Sequence, residues 1–226
     1  MNLAARRELR LELVGRIPGR YSPWFHLLFP LLVGLGIVAA ALHLLHHSSA
    51  VDVAAIPFFV FAANGVEWAT HRGLLHRRLR PLSALYQGHS QHHAVYVVGD
   101  MALSDPRELK LVLLPMFAVL YLMTVAAGVA GLLSLAGQRN LGLVWLVTSV
   151  LYLLAYEWLH LLWHLPASSP VGRLALVRRL SRHHALHHAP GERQRWNFNI
   201  TLPLWDLLAG TDWRRRRVLA SARERF

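Results

Sequence analysis

Four long apolar segments restrict what this 226-residue chain can fold into. In chain order they cover residues 24–45, 51–70, 111–136 and 141–165. About 20 apolar residues match the ~30 Å hydrocarbon core of a bilayer, so each segment is predicted to be a transmembrane helix. The second segment is the weakest candidate because it contains Asp52 and Glu67, and the fourth carries Glu157 near its end.

The basic residues decide whether the second segment spans. With four crossings, 23 of the 24 Lys and Arg residues lie on one face of the membrane and only Arg139 lies on the other. With three crossings, the six basic residues of 71–110 would lie opposite those of the N-terminal 23 residues. The positive-inside rule therefore predicts a multi-pass protein with four spans and both termini in the cytoplasm. A bacterial inner membrane is the expected location.

This topology divides a single predicted domain, 1–226, into regions. Residues 1–23 form a cytosolic N-terminal segment, and 24–165 hold the four spans together with a cytosolic loop at 71–110. Residues 166–226 lie in the cytosol and end in a basic tail.

Local patterns predict further elements outside the spans. Leu174, Val177 and Leu180 recur among arginines, which predicts an amphipathic helix in the membrane interface. Residues 8–14 alternate apolar and charged side chains, so helix and strand both stay open there. The arginine run 214–217 is predicted to face anionic lipid. Because the basic residues follow the membrane topology, nucleic acid is not an expected partner.

Histidine carries the chemistry of this sequence, since cysteine is absent. The chain has 15 histidines and no cysteine, which excludes disulfides, thiolate-bound zinc and iron–sulfur clusters. Eleven of the histidines form four clusters, namely His71 and His76; His89, His92 and His93; His160 and His164; and His183, His184, His187 and His188. The predicted topology brings all four clusters to the cytoplasmic face. The remaining histidines, at 26, 43, 46 and 47, are predicted to be polar anchors or packed residues that bind no metal.

The spacing inside the clusters suits metal binding. Imidazoles three or four residues apart on a helix share one side. His71 and His76 are about 140° apart on an ideal helix, so they converge only if the helix ends or bends near Gly73. The candidate ligands are His71, His76, His89, His92, His93, His160, His164, His184, His187 and His188. Ten imidazoles suit two octahedral ions that share ligands and water, with a proton-sensing face as the alternative.

Two acidic residues support the metal interpretation. Glu67 lies one helical turn before His71, and Glu157 one turn before His160. Carboxylates within a membrane are costly, and metal-bound imidazoles commonly donate their second N–H to a carboxylate. A packing role for either residue is the alternative.

The order His-x4-His, His-x2-His-His, His-x3-His, His-x2-His-His resembles the fatty acid hydroxylase/sterol desaturase superfamily of membrane di-iron enzymes. The tail from Asn197 to Asp206, closing with Gly210 and Thr211, resembles that superfamily as well. The resemblance covers roughly residues 55–213.

This resemblance implies an all-α integral membrane protein, in which four transmembrane helices stand under a cytosolic helical cap that holds a histidine-rich dimetal site. It implies two iron ions on the ten histidines, with zinc as a possible substitute. It also implies an oxidoreductase that uses O2 and two electrons to hydroxylate or desaturate a lipid C–H bond, with a fatty acyl chain as the favoured substrate. A sterol or carotenoid is the alternative substrate.

The sequence departs from the superfamily pattern at two places. His183 adds an imidazole in front of the fourth motif, which leaves the register of that motif open. Asn199 stands where many relatives have glycine. Asn197 and Asn199 are predicted either to hold a metal-bound water or to cap a turn.

Two further expectations concern partners and alternative functions. Without cysteine, the chain offers no thiol pair or iron–sulfur ligands, so a separate ferredoxin, or a cytochrome with its reductase, is expected to supply electrons. The lipid substrate and the bilayer are the other partners. A histidine-rich divalent-metal transporter or sensor is the alternative of another class. Transporters place ionisable groups near the membrane midplane, whereas these histidines gather at one face.

Overall fold

The computed structural model describes residues 1–214, and within this range the chain is helical, with no β-strand beyond one isolated bridge between Val97 and Asp100. The α-helices are α1 (Leu3–Gly15), α2 (Pro23–Leu44), α3 (Ala50–Thr70), α4 (Ser83–Val95), α5 (Leu109–Val112), α6 (Met116–Leu135), α7 (Arg139–Trp163), α8 (Ala175–His187) and α9 (Leu204–Leu208). A π-helical turn covers His71–Leu75, and a 3-10 turn covers Pro106–Glu108. The all-α prediction is confirmed over the described residues.

Four of these helices are long and apolar enough to cross a membrane. They are α2, α3 together with the π-helical turn that continues it, α6 and α7. Large apolar side chains on them are exposed, including Phe58, Phe117 and Leu132, each about two-thirds accessible. Exposed apolar area on this scale is unfavourable in water and is satisfied by lipid. The prediction of four candidate spans is confirmed.

Asp52, one of the two acids that weakened the second span, lies at the very start of α3. Its carboxylate accepts from the backbone N–H and the hydroxyl of Ser49, both at 2.8 Å, and the Ser49 hydroxyl accepts from the Asp52 N–H at 3.2 Å. Such reciprocal bonds satisfy N–H groups that a helix end leaves without partners. The acid therefore caps the helix and does not interrupt the span.

The third span begins later than predicted. The expected start was Leu111, but that residue lies in the short helix α5, and α6 begins at Met116. Pro115 explains the break, because proline has no N–H and disfavours helical geometry in the residue before it.

The chain divides into two compact units. One consists of residues 22–63 and 113–158. Its core contains Val38, Val119, Met123, Val150 and Leu154. The helices approach closely there, since a Cβ added to residue 34, a glycine, would lie 2.9 Å from the Met123 methyl carbon.

The other unit consists of residues 1–21, 64–112 and the chain from 159 onward, and we call it the histidine unit because all four histidine clusters fall within it. Residues 8–14, which were compatible with helix or strand, are helical within α1. Leu13 of α1 packs with Val95, Tyr96 and Val112 in a second apolar core. The assignment of 1–226 to a single domain stays a prediction.

The amphipathic helix predicted around residue 177 is α8. Arg178 and Arg179 on this helix are exposed, while Val177 and Leu180 are half-buried. Of the arginine run 214–217, only Arg214 lies within the described residues. The rest of the basic tail lies outside them, so its contact with lipid stays a prediction.

Candidate metal centre

A π-helical turn aligns the first two histidines. The α-helix α3 ends at Thr70, and the chain continues as a π-helix over His71–Leu75. A π-helix pairs residue i with residue i+5, so one such turn returns the chain to the same face after five residues. His71 and His76 are five residues apart, and their ring centroids lie 5.1 Å from each other. The π-helical turn is therefore the departure from α-helical geometry that was expected near Gly73.

Each His-x2-His-His motif lies on one helix and divides between two sides of it. In α4 the Nε2 atoms of His89 and His93 lie 3.0 Å apart. At the end of α8, those of His184 and the C-cap residue His188 also lie 3.0 Å apart. Neighbouring residues on an α-helix point about 100° apart, so His92 cannot join His93 on the same side.

These histidines converge into two groups, both in the histidine unit. The first histidine group consists of His71, His76, His89, His93 and His187, and the second of His92, His164, His184 and His188. Within each group the candidate ligand nitrogens all lie within 4.8 Å of one another. The His160 ring lies 4.9 Å from the rings of both His92 and His184, at the border of the second group. The structure thus brings the ten predicted ligands together, and their binding of metal stays a prediction.

Backbone carbonyls fix the orientation of five of these rings. The Nδ1 atom contacts a carbonyl oxygen at 2.5–3.0 Å in the pairs His71 with Phe198, His92 with Leu111, His164 with Met101, His187 with Trp196 and His188 with Tyr96. A carbonyl only accepts, so Nδ1 carries the hydrogen and Nε2 presents a lone pair. Metal-binding imidazoles are commonly held in this way.

The distances between Nε2 atoms test whether a metal fits. His92 and His188 both donate through Nδ1, yet their Nε2 atoms lie 3.1 Å apart, so two lone pairs face each other. No hydrogen bond can form between them, and a cation removes the repulsion. Two nitrogens bound at right angles to one metal at roughly 2.1 Å would lie about 3.0 Å apart, against roughly 3.4 Å for a tetrahedral site. The observed Nε2–Nε2 distances of 3.0–3.2 Å are closer to the separation expected for ligands at right angles than to the tetrahedral one.

Burial keeps the imidazoles outside the spans neutral. Desolvation, followed by repulsion from His71 and then from Arg193, lowers the pKa of His76 to about 2. Desolvation also lowers the pKa of His164 to about 4. The pKa also falls well below its usual value, mainly through burial and then through neighbouring imidazoles, in His89, His92, His93, His184, His187 and His188. The neutral form is the one that binds a metal ion.

Glu67 supports the first histidine group through the loop after residue 196. Its carboxylate accepts from the backbone N–H groups of Ile200 and Thr201, and from the Thr201 hydroxyl at 2.6 Å. Asp206 accepts from the Phe198 N–H of the same loop at 3.0 Å. The Phe198 carbonyl in turn contacts Nδ1 of His71. Glu67 therefore holds the loop that orients His71, and its predicted bond to an imidazole stays a prediction.

Glu157 has a different environment. Its carboxylate accepts from the backbone N–H of Leu114 at 3.3 Å, at the break before α6. This contact supports the chain where Pro115 interrupts helical hydrogen bonding. Its predicted link to the metal ligands stays a prediction, and the geometry favours Glu67 as the support of the site.

The two asparagines serve the same loop. Asn197 donates to the His183 carbonyl at 2.9 Å and accepts from the Trp213 N–H at 2.8 Å, and its φ of 57° is left-handed, which asparagine tolerates. Asn199 donates to the Asn64 carbonyl at 3.0 Å and accepts from the Asp206 N–H at 3.1 Å. These contacts are those of residues that cap a turn, and the alternative role of holding a metal-bound water stays a prediction.

His183 belongs to neither histidine group. Its Nε2 lies 3.9 Å from a carboxylate oxygen of Asp206. The groups instead contain His184, His187 and His188, which is the predicted register of the fourth motif. Away from the site, His43, His46 and His47 are exposed, and His26 contacts the Leu114 carbonyl at 3.0 Å.

Sequence analysis missed a buried ion pair behind the second histidine group. Arg10 of α1 donates to Glu108 at 2.8 Å, and the Tyr96 hydroxyl donates to the same oxygen at 2.8 Å. Arg10 also donates to the Ala102 carbonyl at 2.5 Å. These bonds hold the segment whose carbonyls at Tyr96 and Met101 orient two histidines. No local signal distinguishes Arg10 from the other arginines of α1.

Fold and site together define a helical protein that carries four candidate membrane spans and two convergent groups of neutral imidazoles suited to divalent metal. A family model described as fatty acid hydroxylase matches residues 56–211, which is more than half of the chain and includes every predicted ligand. The chain belongs to the fatty acid hydroxylase family, as the order of its histidine motifs had predicted. Among curated proteins and solved structures, no similar chain is found.

Proposed function

We propose that this protein is an O2-dependent, non-haem di-iron membrane oxygenase that hydroxylates or desaturates an unactivated C–H bond of a lipid. The observation that carries the proposal is the pair of Nε2 lone pairs on His92 and His188, which face each other 3.1 Å apart. Iron is favoured over zinc because O2 activation needs a redox metal. A fatty acyl chain is the favoured substrate, with a sterol or carotenoid as the alternative.

In this proposal the protein orients the metal ligands and keeps the site shielded from water. The first histidine group would hold one ion, and the second group with His160 would hold the other. When bound, the metals supply reduction of O2, and hydroxylation converts R–H, O2, two electrons and two protons into R–OH and water. Carbonyls such as those of Phe198 and Tyr96 keep the ligand rings fixed, while burial excludes the water that would compete for an oxidant.

A metal transporter or sensor is the function of another class. Transport requires ligands that release the ion, whereas five of these rings are fixed by carbonyls and all ten predicted ligands lie within or beside two groups. This rigidity favours an enzyme.

Metal analysis with lipidomics tests the proposal. The purified protein is expected to contain two metal ions per chain, and cells that express it are expected to contain an oxidised lipid absent from control cells. His92→Ala should lower both signals. His46→Ala, a matched change at an exposed histidine, should lower neither. Metal-bound protein that changes no lipid would favour the transporter or sensor.

We further propose that the metal site faces the cytoplasm, where a separate acidic ferredoxin, or a cytochrome with its reductase, delivers electrons. Arg77, Arg78 and Arg80 after the π-helical turn are exposed, as are Arg178 and Arg179 of α8. Exposed positive charge attracts an acidic carrier, and salt weakens that attraction over ~10 Å at 0.1 M ionic strength.

NADPH-driven product formation, with and without ferredoxin and reductase, tests this electron supply. The expected result is turnover that requires the carrier and slows as salt rises. The double change Arg178→Gln and Arg179→Gln should slow it, and Arg139→Gln, at the opposite hairpin, should not. Sustained turnover with NADPH alone would contradict the need for a carrier.

A further inference from the structure

A cavity of about 300 Å³ in the histidine unit touches both histidine groups. His93 of the first group and His188 of the second both line it. Arg6, Arg193 and Gln194 line the same cavity. A polar pocket thus lies directly beside the candidate metal ligands.

Two arginines and no acidic residue line this cavity, so its lining is positively charged. Within the described residues, neither Arg6 nor Arg193 takes part in an ion pair, and none of the lining residues is acidic. Glu192, the neighbour of Arg193 in sequence, is not among the lining residues and accepts from the Trp196 indole at 2.9 Å.

The candidate metal ligands beside the cavity do not offset its positive charge. An all-imidazole donor set contributes no negative charge, so two divalent ions held there would keep their full positive charge. Two guanidinium groups next to such a centre favour an anion that neutralises them, and guanidinium binds carboxylate and phosphate through paired hydrogen bonds.

The size of the cavity also suits part of a lipid molecule. At ~30 Å³ for each water molecule, the volume equals about ten waters. That is room for a headgroup and a few carbons, and it is too small for a whole long acyl chain.

We propose that this cavity binds the anionic end, a carboxylate or a phosphate monoester, of the lipid substrate, with Arg6 and Arg193 as its counter-charges. The inference rests on the proposed function, because it takes the ligand to be the lipid that is oxidised. It assigns this protein an acidic lipid and disfavours a neutral sterol or carotenoid.

Equilibrium binding to the metal-loaded protein in nanodiscs tests the assignment. The probes are radiolabelled hexadecanoate, hexadecyl phosphate and hexadecanol, which share one chain and differ in the charge of the end group. Arg193→Gln should weaken binding of the two anions about tenfold to hundredfold, as loss of a charged hydrogen bond does, and leave hexadecanol unchanged. Arg193→Lys should lose less. Arg6→Gln should act like Arg193→Gln, although Arg6 also donates to the Ala94 carbonyl at 2.7 Å.

Arg195→Gln is the matched control, since Arg195 is exposed and does not line the cavity. Equal weakening by Arg193→Gln and Arg195→Gln, or none by either, would overturn the proposal. Displacement of hexadecanoate by equimolar acetate or inorganic phosphate would also overturn it, because the cavity would then be a site for small anions. Protein that oxidises neutral lipids as well as acidic ones would disprove the anion site and leave the oxygenase proposal standing. Protein that binds the anions through Arg193 but oxidises no lipid would refute the oxygenase and keep the anion site.

Discussion

Glu67→Gln tests whether Glu67 and Glu157, which have equivalent positions in the sequence, differ in their effect on the candidate metal site. The Glu67 carboxylate receives hydrogen bonds from the N–H groups of Ile200 and Thr201, from the Thr201 hydroxyl and from the Asn64 amide. A glutamine keeps the shape but replaces one acceptor oxygen by an NH2 group. The amide oxygen of the glutamine can still accept from the N–H groups of Ile200 and Thr201. The Asn64 NH2 group, however, then faces the NH2 group of the glutamine, and two donors cannot form a hydrogen bond.

The cost follows from the kind of bond that is lost. Hydrogen bonds to a charged group are worth roughly 1.5–3 kcal/mol and neutral ones roughly 0.5–1.5 kcal/mol, so weakening two and losing one costs about 2–4 kcal/mol. Asp206 still holds the loop through the N–H groups of Phe198 and Asn199. Only part of the lost hydrogen-bond free energy is therefore expected to affect the position of His71. Metal affinity is expected to fall about 10- to 100-fold.

Competition with a chelator, followed by metal analysis, measures this change. Glu157→Gln is the matched control, because its single described bond, from the Leu114 N–H, can also be accepted by a glutamine oxygen. We expect it to leave metal affinity within about twofold. Equal metal loss in both variants, or none in Glu67→Gln, would refute the idea that the loop transmits the effect of Glu67 to the histidines.

Three other predictions follow from the same geometry. His187→Ala should lower the bound metal, whereas His47→Ala, at an exposed position outside both groups, should not; equal loss would contradict the grouping. In metal-free protein, His164 binds fewer protons when folded than when unfolded, because its pKa falls from 6.5 to about 4. The free energy of unfolding should therefore decrease as the pH falls below about 6.5, by about 2 kcal/mol from His164 alone at pH 5, and denaturation followed by tryptophan fluorescence at two pH values checks this. Since the chain has no cysteine, single cysteines can report topology: Ser49→Cys should react with an external reagent and Ser83→Cys only from the cytoplasm, and external labelling at 83 would contradict four spans. The corresponding label at Ser221 lies outside the described residues.

Sequence patterns predicted four candidate spans and the convergence of the histidine clusters, because both depend on local properties. Charge-free length identifies a span, and spacing places imidazoles on one helical side. The sequence could not show that Asp52 caps a helix, because its partner Ser49 lies in a turn whose geometry is not encoded by hydropathy. Nor could it predict the bond between Arg10 and Glu108, since those residues are 98 positions apart. Contacts of this kind depend on the tertiary fold.

The paired histidines 92–93 and 187–188 explain why this motif suits two metal ions. Adjacent helical residues point about 100° apart, so a His-His pair cannot present both rings to one ion, whereas residues four apart differ by about 40°. In α4 the i, i+4 pair belongs to the first histidine group and His92 to the second. In α8 the assignment is reversed, because His187 joins the first group and the i, i+4 pair joins the second. Each helix therefore contributes to both groups, and neither group is complete without both helices. A displacement of α4 or α8 would disturb both candidate metal positions together, which gives a physical reason for the two motifs to occur as a pair.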